Sequence, residues 1–149
     1  MGLHRDLEFS SLDDLSDPDD WRPGSEMALV ADPAANLALI AERMGVGDAI
    51  PLHRHAIDEI VIYLSGEVEV RLGEETHTAR AGDIMVIPAG VAHAQRNTGG
   101  SVAEFRAVFP SARLDIEYIE GNPAPGTEGD PPQPAFAIDT HTGEVSRTS

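Results

Sequence analysis

The seven residues HRHAIDE, from His53 to Glu59, place two of the chain's six histidines one residue apart and a glutamate four residues later. Histidines at this spacing project from the same face of an extended strand. Imidazole nitrogens together with a carboxylate are suitable ligands for a divalent cation. The segment therefore predicts a metal site. The alternative interpretation is an exposed, polar strand end that is rich in histidine.

These residues can share one ion only if the chain bends. Glu59 lies four residues beyond His55, which corresponds to about 13 Å along a straight strand. Metal–ligand bonds are only about 2 Å long. We therefore expect a turn at residues 56–58, after which Glu59 begins the next strand, alongside the histidine strand.

A second stretch, GDIMVIPAGVAHAQRN, supplies a fourth candidate ligand. Gly82 permits a turn, and DIMVI is typical of a short strand. Pro88 and Gly90 then predict a tight corner, because proline fixes its own φ and glycine accepts a positive one. His93 begins the strand that leaves this corner, so the corner controls the direction of its side chain.

Together the two stretches resemble the two motifs of the cupin superfamily. The first motif is matched by Gly47, His53, His55, Glu59 and Gly66, and the second by Gly82, Pro88, Gly90, His93 and Asn97. The resemblance covers roughly the middle third of the chain. It implies an all-β fold, a double-stranded β-helix or jelly-roll barrel. It also implies that one divalent metal ion is bound inside the barrel by His53, His55, Glu59 and His93.

The elements that must position these residues are short strands separated by turns. In EVEVRL, residues 67–72, apolar and charged side chains alternate, which predicts a strand with one face in solvent. The run EIVIYL, residues 59–64, is apolar on both faces, so its outer face should be covered by a neighbouring subunit or by a folded-back arm. Many short strands with close turns indicate a β-sandwich or barrel.

The composition at the two ends suggests three regions. Residues 1–25 are acidic and contain turn signals, which predicts an arm. Residues 26–120 are expected to form the barrel domain. Residues 121–149 begin with a stretch rich in proline and glycine, which predicts an extended C-terminal segment. Its short apolar run AFAID is expected to dock on the barrel or on a partner subunit.

The overall composition limits the chemistry. The 149 residues include no cysteine, and all ten basic residues are arginine. Thiolate nucleophiles, sulfur-ligated zinc, iron–sulfur sites and lysine Schiff bases are therefore excluded. The net charge of −16 argues against nucleic acid and against an anionic membrane surface as partners. The N-terminus lacks the apolar run of a signal peptide, so we expect a cytoplasmic protein.

Side-chain alternation outlines a substrate pocket next to the predicted metal. If Glu59 faces inward, Val61 and Tyr63 do so too, and His93 brings Gln95 inward. In SVAEFRAVF the more apolar face carries Phe105 and Phe109. We therefore predict a largely apolar pocket for a small-molecule substrate. The alternative is that the tyrosine and the two phenylalanines simply fill the core.

The predicted chemistry is that of the metal, since no other catalytic motif is present. Four protein ligands leave two positions of an octahedral ion open, which suits iron(II), manganese or nickel and permits zinc or copper. We favour an iron(II) dioxygenase, with Glu59 as a candidate base. The alternatives are a non-redox isomerase, lyase or cyclase, and a non-catalytic module that binds or senses a small molecule. The resemblance also implies a homodimer. His4, His77 and His141 are expected to lie in solvent.

Overall fold

A computed structural model describes residues 2–17, 21–122 and 126–148. In these ranges the chain forms thirteen strands and no helix. The strands are β1 (Ser10–Ser11), β2 (Glu26–Ala31), β3 (Ala38–Met44), β4 (Ala49–Arg54), β5 (Glu59–Ser65), β6 (Glu67–Leu72), β7 (Glu75–Arg80), β8 (Ile84–Ile87), β9 (His93–Arg96), β10 (Ala103–Phe109), β11 (Arg113–Tyr118), β12 (Phe136–Asp139) and β13 (Val145–Arg147).

The strands form two antiparallel sheets that face each other. The first sheet has the order β1-β2-β3-β10-β5-β8, and the second has the order β13-β12-β11-β4-β9-β6-β7. Consecutive strands often lie in different sheets, so the chain crosses repeatedly between them. This arrangement is the all-β jelly-roll barrel that the motifs predict.

Alternation along the strands builds the core between the sheets. On β6, Val68 and Val70 are buried while Glu69 and Arg71 are exposed, as the sequence pattern predicts. On β10, Phe105 and the other inward residues are buried at every second position. Each sheet therefore contributes one apolar face to a shared core, which is the main source of stability in such a fold.

A glycine-dependent turn carries the chain from β5 to β6. Gly66 has a φ of +80°, in the left-handed region that glycine occupies without strain. A Cβ atom at this position would also lie only 2.8 Å from the Cα of Ala103 on β10. Both the backbone conformation and the close approach therefore require glycine here.

Both terminal segments add strands to the barrel. Ser10 and Ser11 pair with β2, and the ring of Phe9 lies 3.7 Å beneath the guanidinium of Arg43 on β3. At the other end β12, which contains most of the AFAID run, pairs with β11. Among the described residues, no helix has the length and hydropathy that a membrane span requires.

The outer face of β5 is apolar and accessible in the single chain. Ile60 and Leu64 are 42% and 44% exposed, and Ile84 and Val86 on the adjacent β8 are about 60% exposed. The folded-back N-terminal segment lies on the β2 and β3 side of this sheet. Coverage of β5 by a neighbouring subunit, and with it the homodimer, stays a prediction.

Candidate metal centre

Three strand ends bring the four candidate ligands together. His53 on β4 is the direct antiparallel partner of His93, the first residue of β9. His55 follows the end of β4, and Glu59 is the first residue of β5. All four side chains are buried, His93 completely.

The predicted turn between His55 and Glu59 is present, since β4 ends at Arg54 and β5 begins at Glu59. The prediction that Glu59 lies alongside the histidine strand was wrong. β4 is flanked by β11 and β9, whereas β5 lies in the other sheet between β10 and β8. The turn crosses from one sheet to the other, so Glu59 faces the histidines across the interior of the barrel.

Backbone hydrogen bonds fix this turn on both sides. The Ala56 N–H donates to the Asp115 carboxylate (2.8 Å), and the Ala89 N–H donates to the Asp58 carboxylate (2.8 Å). The Gly90 N–H donates to the carbonyl of His55 (2.7 Å), and Gly90 has the positive φ of +82° that the corner was predicted to need. The two motifs are thus joined to each other directly beside the cluster.

Each histidine ring is oriented by a backbone carbonyl. The Nδ1 atoms of His53, His55 and His93 lie 2.7, 2.5 and 2.9 Å from the carbonyl oxygens of Pro51, Asp115 and Val91. A carbonyl only accepts, so each Nδ1 carries the hydrogen and each Nε2 keeps a free lone pair. Such hydrogen bonds set the tautomer and direction of metal-binding histidines.

The free lone pairs converge. One ring nitrogen from each of the three histidines lies within 4.8 Å of the others. Glu59 Oε1 lies 3.4 Å from His55 Nε2 and 3.1 Å from His93 Nε2. The cluster therefore gathers three imidazole acceptors and a carboxylate around one point.

Two atoms of this cluster, Glu59 Oε1 and His93 Nε2, are buried without a hydrogen-bond partner. Leaving polar atoms unsatisfied in the interior costs free energy. A divalent cation would satisfy the carboxylate and the imidazoles at once, and three nitrogens with one oxygen suit such an ion. The residues present therefore fit a metal ion.

The electrostatics at His53 favour a neutral imidazole. Burial lowers the pKa of His53 well below its ordinary value, and the neighbouring His93 and His55 lower this pKa further. A neutral imidazole is the form that binds a metal.

A cavity of about 190 Å³ opens from the cluster. His53, His55 and Glu59 form its polar end, and Gln95, Phe105 and Phe109 line it as well, together with apolar residues of both sheets. Leu12 of the N-terminal segment and Phe136 and Ile138 of β12 complete the wall.

The other two residues predicted for the pocket lie elsewhere. Val61 and Tyr63 are buried in the core, as Phe105 and Phe109 are, but they do not line this cavity. The Tyr63 hydroxyl donates to Gln95 Oε1 at 2.7 Å, so Tyr63 contacts the cavity only through this glutamine. Burial raises the pKa of Tyr63, as does the charge of Glu59, so the phenol keeps its proton and remains a donor.

Sequence reasoning missed a second buried polar cluster at the cavity wall. Arg22 donates to Glu42 Oε1 (2.8 Å) and to Asp48 Oδ2 (2.9 Å), and Ser25 also donates to Asp48. Arg22 and Glu42 both line the cavity. Burial alone would lower the pKa of Arg22, but the two carboxylates outweigh burial and raise it.

The remaining histidines lie outside the cluster. His77 is exposed and lies 2.9 Å from Glu75, and His4 lies 3.8 Å from Asp32. His141 contacts the carbonyl of Ala35. All three are exposed, as the sequence analysis expects.

Comparison with known proteins points to the same superfamily as the two sequence motifs. The family model described as a cupin domain matches residues 41–109. The germin-like protein 8-14 of Oryza sativa subsp. japonica is 38% identical over 91 residues, which cover 54% of this chain and 43% of that protein. The chain therefore spans less than half the length of this relative.

Two solved structures share the fold. One is a sugar phosphate isomerase of the cupin superfamily from Silicibacter pomeroyi, with a TM-score of 0.61, 20% identity, and coverage of 84% of this chain and 77% of that one. The other is the oxalate decarboxylase of Bacillus subtilis, whose Mn(II) centres have been characterised, with a TM-score of 0.55, 24% identity, and coverage of 60% and 26%. With both motifs and the barrel in place, these matches support assignment to the cupin superfamily, whose domain model covers residues 41–109.

Proposed function

We propose that the chain is a metal-dependent enzyme, a dioxygenase that acts on a small organic molecule beside a divalent ion held by His53, His55, Glu59 and His93. One observation carries the proposal. Four hydrogen-bond acceptors converge in the interior, two of their atoms have no partner, and a largely apolar cavity opens directly from them.

The assignment of a metal rests on the balance of donors and acceptors. The three Nε2 atoms and the Glu59 carboxylate all offer lone pairs to the same region. Acceptors that face one another in the interior repel and lose their hydration. A cation removes both penalties, which is why we assign all four residues as ligands.

The assignment of oxygen chemistry rests on the open coordination positions of the ion and on the apolar walls of the cavity. Four protein ligands leave two positions of an octahedral ion for other molecules. When bound, iron(II) would supply the electron-transfer chemistry that allows dioxygen to react with an organic substrate. Phe105, Phe109 and Phe136 would hold the substrate and exclude water from this end of the cavity.

Glu59 is also a candidate base. Its Oε1 accepts no hydrogen bond from the described residues, and it borders the cavity. A carboxylate in this position can take a proton from a substrate hydroxyl or an activated C–H group when it loosens from the ion. We assign this role as part of the proposal.

The test is anaerobic reconstitution of the protein with iron(II), followed by elemental analysis and measurement of oxygen consumption with a panel of diketones, catechols and thiols. We expect one ion per chain and substrate-dependent oxygen uptake. His93→Leu should abolish both, whereas the matched variant His77→Leu, at an exposed histidine, should keep both. Full metal loading without uptake across the panel would contradict the dioxygenase assignment.

A second candidate is a non-redox isomerase, lyase or cyclase, favoured by the unpartnered Glu59 carboxylate at the cavity. Turnover without oxygen that survives replacement of iron by zinc would establish it. Manganese(II) belongs in the same series, since the structurally similar oxalate decarboxylase has Mn(II) centres. Stabilisation by metal, with ligand binding but no turnover, would instead indicate a non-catalytic module.

A further inference from the structure

The walls of the cavity indicate what kind of molecule it accepts. Apart from the metal cluster, most of the lining is aliphatic or aromatic, with Phe105 and Phe109 from β10 and Leu114 from β11. The terminal segments extend this surface with Leu12 and Phe136. An apolar molecular body would gain free energy by leaving water for such walls.

Positive charge is absent from the part of the lining that could meet an anion. Arg22 is the one arginine among the described lining residues, and both of its partners are carboxylates. Glu42 occupies two of the guanidinium nitrogens, and Asp48 is bound to the guanidinium as well. A substrate carboxylate or phosphate held away from the metal would lie in a part of the cavity that contains Glu42 and Asp115, without gaining an arginine partner.

Gln95 supplies a directed polar contact. Its Oε1 accepts the hydrogen bond of the Tyr63 hydroxyl, which leaves its amide N–H groups available as donors to a ligand in the cavity that Gln95 lines. Both residues are buried and lie on strands of opposite sheets, which holds the amide in place. An oxygen atom of a substrate is the natural acceptor for these donors.

We propose that the cavity takes an uncharged, largely apolar small molecule with neighbouring oxygen atoms, which bind at the metal cluster and accept a hydrogen bond from Gln95. This inference rests on the metal centre proposed above. It goes further by excluding anionic substrates and by assigning Gln95 as the residue that recognises the substrate oxygen.

The test uses two probes that share a chelating diol and differ in charge. Cobalt(II)-loaded protein is titrated anaerobically with 4-methylcatechol and with 3,4-dihydroxybenzoate, and binding is followed by the cobalt absorption bands and by calorimetry. We expect 4-methylcatechol to bind at least tenfold more tightly. Equal or tighter binding of the carboxylate, or no binding of either probe to the cobalt protein, would overturn the inference while leaving the metal centre intact.

Gln95→Leu tests the recognition residue separately. We expect five- to tenfold weaker binding of 4-methylcatechol with unchanged cobalt stoichiometry and an unchanged cobalt spectrum before the probe is added. The matched variant His77→Leu should leave both affinities unaltered. Undiminished binding in Gln95→Leu would overturn the role of Gln95. A wild-type protein that takes up no cobalt would overturn the metal centre itself, which the stoichiometry reports before any probe is added.

Discussion

The barrel contains two buried polar clusters that are built in opposite ways. Around Arg22, a guanidinium is surrounded by Glu42 and Asp48, so donors and acceptors are matched. Around His93, the imidazoles and Glu59 present acceptors only, and the two unpartnered buried side-chain atoms among the described residues both lie there. In the first cluster every charged group has a partner within the protein, whereas the second is the cluster that we propose to hold a cation. The balance of donors and acceptors therefore distinguishes a structural network around Arg22 from a candidate binding site around His93.

The largest expected effect is on the first cluster. Arg22→Met removes the only cation from two buried carboxylates, and breaking a buried ion pair in this way costs about 3–5 kcal/mol of unfolding free energy. Denaturant unfolding measures this loss, which we expect with and without metal. Arg54→Met is the matched control, since the Arg54–Glu117 pair is exposed and should leave the midpoint unchanged. A loss that disappears when metal is added would contradict the separation of the two clusters.

The next effect concerns the second cluster. A metal that binds only the folded state stabilises it by about 2.7 kcal/mol when its concentration is a hundred times the dissociation constant. We expect this gain in thermal or denaturant unfolding of the wild type, and none in His93→Leu. In the absence of metal, His93→Leu should change stability by only about 1 kcal/mol, because the loss of the Nδ1 hydrogen bond to Val91 is partly offset by removal of the unpartnered Nε2 atom. A wild type that is indifferent to every divalent ion would refute the assignment of a binding site.

A smaller effect, on metal affinity, tests how the turn between His55 and Glu59 positions the ligands of the second cluster. Asp115→Ala removes the acceptor for the Ala56 N–H in the turn between His55 and Glu59. Loss of such an orienting group weakens metal affinity by about tenfold or more. Competition with a chelator of known affinity measures this change. Asp115→Asn keeps an acceptor oxygen and should stay near the wild type; if both variants bind metal normally, the turn does not depend on this hydrogen bond.

Local patterns were sufficient to predict the candidate ligands and the turn between them. The spacing of His53, His55 and Glu59 requires a bend, and a bend is present. The pattern could not say which sheet the strand after the bend would join, because a turn sets a change of direction and strand pairing depends on distant residues. For this reason β5 was placed beside β4 in our prediction, whereas it lies in the opposite sheet.

The contents of the cavity were harder to predict. Alternation correctly placed Val61 and Tyr63 on the inward face, but it gives no information about depth along the barrel, and neither residue lines the cavity. Arg22 was missed because its partners Glu42 and Asp48 are 20 and 26 residues away in the sequence. An arginine in an acidic arm resembles a solvated one until the fold brings those carboxylates to it.

The smallest expected effect lies between the two clusters, at the hydrogen bond from Tyr63 to Gln95. Tyr63→Phe keeps the ring that packs against Phe105 and removes only the hydroxyl, so Gln95 Oε1 loses its donor. The loss of one buried neutral hydrogen bond should cost about 1 kcal/mol of unfolding free energy. Metal affinity should not change, since neither residue is a proposed ligand. Binding of 4-methylcatechol should weaken by less than in Gln95→Leu, because the amide remains but can rotate. A Tyr63→Phe protein that loses metal would show that this pair supports the ligands themselves. Tyr63 and Gln95 would then belong to the metal cluster and not only to the cavity wall.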